Sequence, residues 1–310
     1  MLWEPTDAAA ALRERFGFTS FDATSLWVSD ALASSWDIRV RDCTRLVISD
    51  RNAIAWANSD RGGVVVKWSM HEASFDHLDR SSRLLRDLTG GEVPVPTPFL
   101  TADGDVRKIL NGPTGRLSVA VLPQLDGDWL DVGDGAAVHA AGACLARLHQ
   151  ALATIGDHGW RPADPRPLPA RIRGWLDERD RGFAPQASLR LRDLLSRSPA
   201  LDQTPQLVHN DFRAANILTP DSTIIGVLDF DDVYVDYRLS DLAKASTYLG
   251  TRFTSWAPTP VTAQQGLRAG YESIQPLTPA EVAWLEILML WQGIAAIPNK
   301  DDTPGWAAAL

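Results

Sequence analysis

Asp211, Asn216 and Asp229 are the residues whose types and spacing could do chemistry. They fall in two runs, His209-Asn210-Asp211-Phe212-Arg213-Ala214-Ala215-Asn216-Ile217-Leu218 and, after a turn at Pro220-Asp221, Ile225-Gly226-Val227-Leu228-Asp229-Phe230-Asp231. The amide follows the first acid by five residues, and the second acid follows the amide by thirteen. Phosphoryl transfer needs such a set. One carboxylate must hold an acceptor hydroxyl in line and take its proton, and hard oxygen ligands must hold the Mg2+ that bridges nucleotide phosphates. Asp211 suits the first task, and Asn216 and Asp229 suit the second. The apolar residues Val208, Ile217, Leu218, Val227, Leu228 and Phe230 would fix both loops on a short hairpin. A His-x-Asp alone is ordinarily a turn and an Asp-Phe alone carries no signal. Their joint spacing and strand context, together with the flanking pattern given below, carry the reading.

The elements that must position these loops can be read from pattern. Residues 2–16 read as a short helix with acids early and Arg13 and Arg15 late, as the helix dipole favours. Residues 44–49, 53–58 and 64–68 are three β-rich segments, and Asp60-Arg61-Gly62-Gly63 joins the last two as a hairpin turn. Residues 72–88 read as a helix stopped by Thr89-Gly90-Gly91. Pro94, Pro96 and Pro98 keep the next stretch extended, and 116–122 is a further strand. Beyond it the chain turns helical, with Val138, Ala141, Leu145, Leu148 and Leu152 at helical spacing in 134–152. More helices are expected at 171–180, 188–196, 239–249, 262–274 and 279–297, with apolar strands at 207–209 and 224–230 flanking the candidate loops. The expected fold class is α+β. Residues 1–122 would form a β-rich N-terminal lobe, 123–127 a linker and 128–310 a helical C-terminal lobe.

Composition bounds the partners. The chain has 310 residues, 45% hydrophobic and 22% charged, enough for one large domain or two intimate lobes. A formal charge of −9 without any basic run argues against a nucleic-acid partner. Cys43 and Cys144 make neither a disulfide framework nor a zinc pair, which suits a reducing compartment. The first fifteen residues lack a basic start followed by an apolar core, and no apolar run reaches membrane-spanning length. A cytoplasmic location without a membrane partner is expected.

The His-x-Asp with its later Asn, and the apolar strand ending in Asp-Phe, together resemble the catalytic and metal loops of the protein-kinase superfamily. The closer resemblance is to the aminoglycoside phosphotransferase and choline kinase-like branch. Leu228-Asp229-Phe230-Asp231-Asp232 is similar to that branch's metal loop, and Asp241-Leu242-Ala243 to its later Asp-Leu-Ala. Gly142 with Leu145-Ala146-Arg147-Leu148-His149 resembles its helix before the catalytic loop, and Val93-Pro94-Val95-Pro96-Thr97-Pro98 the segment after its first-lobe helix. The resemblance spans roughly residues 45–249. It implies a bilobal protein-kinase-like fold, ATP or GTP as co-substrate with Mg2+, and Asp211 as base. The reaction implied is O-phosphorylation of an aminoglycoside-like antibiotic or a small metabolite, a homoserine kinase-like enzyme being the metabolic version. It also implies that Asp241 anchors the catalytic loop's amides from beneath and that His209 packs rather than carries protons. A protein kinase is disfavoured, because no Ala-Pro-Glu and no long activation segment follow Asp229. A catalytically weak nucleotide-binding protein is the third reading, against which Asp211, Asn216, Asp229 and Lys67 stand together.

The same resemblance places the nucleotide side. Lys67, closing the apolar run Val64-Val65-Val66, falls where the branch's phosphate-binding lysine lies on the third strand. Ser49-Asp50-Arg51-Asn52 would be the phosphate-covering loop, small polar residues such as Ser49 and Asn52 replacing a glycine cradle while backbone N–H groups of the loop face phosphate. Arg51 reads equally as a solvated surface residue. The linker residues Gln124 and Leu125 would offer backbone groups to the purine edge. Two departures stand out. Ser81 or Ser82 falls where a lysine-pairing glutamate is usual, leaving Glu72, Asp76 or Asp79 as substitutes, of which Asp79 is favoured. Asn210 stands where the branch usually has glycine. For the acceptor, Asp126, Asp128, Asp131, Asp134, Asp231, Asp232 and Asp236 would form an acidic cleft for a cationic molecule, or are ordinary loop aspartates of an acidic protein. Trp284 and Trp291, seven apart on one helix, read as core.

Overall fold

The computed structural model describes residues 7–49, 51–156, 159–162, 164–178, 184–253, 255–298 and 302–310. They divide into two units, one from 1–90 and 95–126, the other from 91–94 and 127–310. The expected helix at 2–16, the phosphate-loop residue Asp50 and the end of the helix expected at 171–180 fall partly or wholly outside the described residues.

In the first unit, α1 (Ala8–Phe16) starts where the Asp7 carboxylate accepts from the Ala10 amide and stops at Gly17, whose φ of 76° few other residues tolerate. α2 (Phe21–Trp36) is capped by Ser20, which accepts from the Ala23 amide. It was not expected from the sequence, because Ser25, Ser29, Ser34 and Ser35 dilute its apolar stripe. Strands β1 (Val40–Ile48), β2 (Asn52–Ser59) and β3 (Gly62–Ser69) follow, then α3 (Phe75–Asp87), β4 (Lys108–Asn111) and β5 (Arg116–Pro123). They make one antiparallel sheet in the order β1-β2-β3-β5-β4. The hairpin expected at 60–63 is present, with Gly62 at φ 88°. Edge strand β4 was unforeseen, since four residues are too short for alternation to show.

Alternation along β3 decides where Lys67 points. Val64, Val66 and Trp68 are buried in one cluster with Ala53, Ala55, Ala57, Val119 and Val121, against Leu12, Phe16, Val28 and Leu32 of α1 and α2. Lys67 therefore lies on the other face, directly across from Ile54 and Ala120. Trp68 meets Trp27 and Phe16 edge-on at 5.5 and 6.3 Å, which pins the strand from its buried side.

The second unit starts with β6 (Asp128–Trp129) and continues through α4 (Gly135–Ile155), α5 (Leu168–Glu178) and α6 (Pro185–Ser196). Next come β7 (Gln206–Val208), β8 (Ile217–Thr219), β9 (Gly226–Val227) and β10 (Tyr234–Asp236). Helices α7 (Arg238–Tyr248), α8 (Val261–Glu272) and α9 (Pro279–Ala296) complete it. β7 pairs with β10, and β6, β8 and β9 form a second small sheet. The strand expected at 224–230 shrinks to two residues because Asp229 adopts the left-handed conformation, φ 61°, which ends any ladder. Pro94 belongs to this unit, its carbonyl accepting from the Val227 amide at 2.8 Å. Among the described residues, no helix is long and apolar enough to cross a membrane.

Helices α4 and α8 meet backbone to backbone through reciprocal glycines. A Cβ on Gly142 would lie 1.9 Å from the Leu267 carbonyl oxygen, and one on Gly270 1.9 Å from that of His139. This approach brings His149 of α4 onto Tyr271 of α8. Gly142→Ala and Gly270→Ala should each lower the unfolding free energy by about 1–3 kcal/mol in urea titrations. Gly135→Ala, where a Cβ meets nothing within 4 Å, should not. Equal behaviour of the three variants would contradict the close crossing.

Candidate active site

The loop after β7 is built downward onto one carboxylate. Asp241, on α7 and fully buried, accepts from the backbone amides of His209 at 2.9 Å and Asn210 at 2.8 Å. It also accepts from His149 Nε2 at 3.0 Å. His149 Nδ1 lies 2.8 Å from the Tyr271 hydroxyl, to which Arg238 donates. Burial would push the Asp241 carboxyl up, but the His149 hydrogen bond and the loop amides more than offset it and hold it below the usual carboxylate range.

His209 ties this loop to the next one. Its Nε2 lies 3.0 Å from the Leu228 carbonyl, and its Nδ1 is 3.2 Å from the Asp211 amide. Those partners select the tautomer that donates from Nε2 and accepts at Nδ1. The ring is buried and packs edge-on against Phe212 and Phe230, at 5.9 and 4.7 Å. A histidine with both nitrogens spent on loop backbone is a brace.

Asp211 is half-buried and gripped at both oxygens. Arg213 Nε donates to Oδ1 at 2.8 Å, and Asn216 Nδ2 donates to Oδ2 at 2.7 Å and to the Asp211 carbonyl at 2.9 Å. Burial pushes the carboxyl up, Arg213 opposes the rise and the negative charge of Asp229 adds to it. Because the amide nitrogen of Asn216 is turned to Asp211, its oxygen Oδ1 is on the other side. The Leu228 amide donates to the Asn216 carbonyl at 2.8 Å, and Ile217 pairs with Val227 across the β8–β9 ladder. These bonds set Asn216 beside the residue preceding Asp229, which is exposed. An amide oxygen and a carboxylate at adjacent loop ends are hard oxygen donors, the set that suits Mg2+ alongside phosphate oxygens. The donor chemistry therefore fits the ion that the sequence implies.

Asn210 explains itself. Its φ of 67° needs glycine or, next best, asparagine, so the departure from glycine is conformationally cheap. Its side chain turns away from Asp211: Oδ1 accepts from the Tyr234 hydroxyl at 2.7 Å and from Lys244 Nζ, which also reaches the Tyr234 hydroxyl at 2.9 Å. Burial pushes the Lys244 ammonium down in pKa. Sequence reasoning missed Arg213, Tyr234 and Lys244, as no local pattern tells which loop a lysine on α7 will reach.

The candidates on the nucleotide side belong to the first unit. Ser49 and Asn52 close a tight turn on themselves, the Ser49 amide donating to the Asn52 carbonyl at 2.8 Å and the Asn52 amide to Ser49 Oγ at 3.1 Å. The Gln124 amide donates to the Gly63 carbonyl at 2.9 Å, and Leu125 is half-buried. Asp79 pairs with Arg83 at 2.7 Å, and Glu72 with Arg116 at 3.2 Å. Ser81 and Ser82 are buried, and Arg107 ties Ser82 on α3 to Ser118 of β5, on the sheet face that carries Lys67. Several of the aspartates expected in an acidic cleft have structural work: Asp134 caps α4, Asp131 accepts from the Gly133 amide, and Asp236 is paired with Arg171 at 2.7 Å. Trp284 is buried, as a core residue would be.

The pattern of the phosphotransferase enzyme family matches residues 49–277. The homoserine kinase of Rhodospirillum rubrum is 28% identical over 264 residues, covering 81% of this chain and 77% of that protein. A microcompartment-associated aminopropanol kinase superposes with a TM-score of 0.61 at 22% identity, covering 92% of each chain. An amicoumacin kinase solved with AMP-PNP and Ca2+ gives 0.58 at 18% identity, over 92% of this chain and 90% of that one. These likenesses establish the bilobal protein-kinase-like fold, with its β-rich N-lobe and helical C-lobe.

Removing the buried anchor should be costly. Asp241→Asn leaves His149 and two amides imperfectly paired, and the expected loss is about 3–5 kcal/mol in denaturant unfolding. The sign with pH follows from a depressed folded-state pKa. The Asp241 contribution is full above the unfolded carboxylate value of ~3.9 and fades as pH falls through the lower folded value, so wild type and variant should converge in acid. A difference that widened with acidification would contradict this. Asn210→Ala, strained at positive φ, should lose more stability than Asn210→Gly by ~1 kcal/mol.

Proposed function

The chain belongs to the phosphotransferase enzyme family and is a small-molecule kinase with a hydroxyl acceptor, and we propose that it moves the γ-phosphoryl group of ATP to the side-chain hydroxyl of a homoserine-like amino acid. The observation that supports the reaction is Asp211 gripped by Arg213 and Asn216, with Asp229 within electrostatic reach. The homoserine kinase match along 81% of this chain supports the acceptor. An antibiotic acceptor of aminoglycoside type is the second reading. It draws support from structural neighbours such as the amicoumacin kinase, but loses part of its basis because Asp131, Asp134 and Asp236 are engaged in structure.

In the proposed mechanism Asp211 holds the acceptor hydroxyl in line and accepts its proton late, as the oxygen–phosphorus bond forms and the bond to the departing ADP oxygen breaks. Arg213 and Asn216 keep the carboxylate in one rotamer, which favours a near-attack arrangement. Asn216 Oδ1 and Asp229 would hold Mg2+, which supplies charge neutralisation on the phosphates when bound. Lys67 would contact the α- and β-phosphates, Ser49 and Asn52 would close the turn that covers them through the bonds they make to each other, and the Gln124 carbonyl and the Leu125 backbone would face the purine edge, the Gln124 amide being spent on Gly63. Asp79 remains a candidate support for Lys67, competing there with its bond to Arg83.

Asp211→Ala should lower kcat by ~10²–10⁴-fold with nucleotide affinity nearly intact. A kcat within a few-fold of wild type would overturn the base assignment. Asp229→Ala should abolish Mg2+-dependent ATP binding in calorimetry, and normal binding would remove it from the metal site. Homoserine should drive ATP consumption more efficiently than aminoglycosides, macrolides or choline in a coupled ADP assay. The reverse order would favour the antibiotic reading.

A further inference from the structure

Arg213 is not explained by gripping Asp211 alone. Its Nε is spent on Oδ1 at 2.8 Å, yet its Nη1 is buried with no hydrogen-bond partner. A guanidinium N–H shut away from water without an acceptor is costly, so a protein that keeps one ordinarily has an anion to offer it. The Cζ of Arg213 faces the Trp256 ring at 5.6 Å, and Trp256 remains 52% exposed on the loop after α7. The same loop carries Phe253, stacked edge-on against Trp129 at 4.5 Å, and Arg252, which donates to the Leu130 carbonyl. A cation beside the base, faced by a half-exposed aromatic ring, suits an organic acid.

We propose that Arg213 is a specificity-determining residue that reads a carboxylate on the acceptor, donating from Nη1 while Nε keeps hold of Asp211. The inference rests on Asp211 receiving the acceptor hydroxyl. Because the guanidinium fork is rigid, an acid bonded through Nη1 is bound next to a hydroxyl held by Asp211, which fits a short hydroxy acid. The Trp256 ring, half exposed on its loop, is the cover that yields to let the acid in and then lies along its stem. The Trp256 ring is why the anion assigned is the acceptor's carboxylate rather than the transferred phosphoryl group, which carries no apolar stem for a tryptophan to cover.

The test compares homoserine with aminopropanol, the same chain without its carboxylate, by ADP release with wild type, Arg213→Gln and Arg213→Lys. Wild type should prefer homoserine by about 10–100-fold in kcat/KM, the scale of one hydrogen bond to a charged group. Arg213→Gln should raise the homoserine KM until that ratio approaches unity, and Arg213→Lys should restore part of it. Equal use of both acceptors by wild type overturns the proposal. Releasing Asp211 should lower kcat for both acceptors alike, so the ratio decides: an Arg213→Gln variant that keeps the wild-type preference for homoserine overturns the proposal while the kinase reading stands. Should Arg213→Gln fail to fold, wild type still decides. α-Aminobutyrate, which keeps the carboxylate and lacks the hydroxyl, should compete with the acceptor where propylamine does not, and equal inhibition by the two overturns the proposal. If homoserine proves inert and another hydroxyl compound is phosphorylated, the homoserine reading fails by itself. A carboxylate-free acceptor in that case overturns the Arg213 assignment too, and a carboxylated one whose KM rises in Arg213→Gln upholds it.

Discussion

Two backbone amides, those of His209 and Asn210, end on the buried carboxylate of Asp241, and the loop carrying Asp211 takes its shape from that convergence. A carboxylate with no access to water stays charged only if its lone pairs are met, and here a histidine and two amides meet them. The histidine comes from α4, and the carboxylate from α7. The reciprocal glycines let α4 approach α8 closely enough for His149 to reach Tyr271 as well. Helix packing, a buried hydrogen-bonded carboxylate and a loop conformation are therefore one constraint seen at three scales.

From that anchor, order spreads in both directions along the chain. Forward, Asn210 is driven into the left-handed region, and its side chain is turned back to Tyr234 and Lys244. Across, His209 links the loop to Leu228, and the Asn216 carbonyl receives the Leu228 amide, so the residues flanking Asp229 are fixed against those flanking Asp211. The result is the Asp211 carboxylate, the proposed base, held in one rotamer beside the two proposed oxygen donors. Preorganisation of this sort is what in-line transfer needs, because the chemistry asks more for positioning than for strong acids or bases.

The sequence made some of this legible and hid the rest for identifiable reasons. Asp211, Asn216 and Asp229 could be picked out because their relation is local and encoded in spacing along one hairpin. Asp241 and His149 emerged only through resemblance, as partners separated by 92 residues leave no periodic trace. Arg213 sat in plain view two residues from Asp211, yet nothing in its spacing announced a buried, unsatisfied nitrogen. Lys244 and Tyr234 could not be assigned to Asn210 without knowing how β10 and α7 fold back. The acidic residues after the linker misled in part, because an aspartate that caps a helix, such as Asp134, looks identical in sequence to one that lines a cleft. Helix α2 escaped because its serines blur the apolar stripe that buries Val28 and Leu32.

The central claim is that Asp211 activates a side-chain hydroxyl of a homoserine-like acceptor. Phosphorus NMR of the product tests it most directly, run with wild type and with Asp211→Asn on ATP and homoserine. The account predicts a phosphomonoester on the homoserine side-chain oxygen from wild type, and product from the variant slowed by at least ~100-fold. Phosphate on the carboxyl or amino group, or the same ester formed at comparable rates by both proteins, would contradict it.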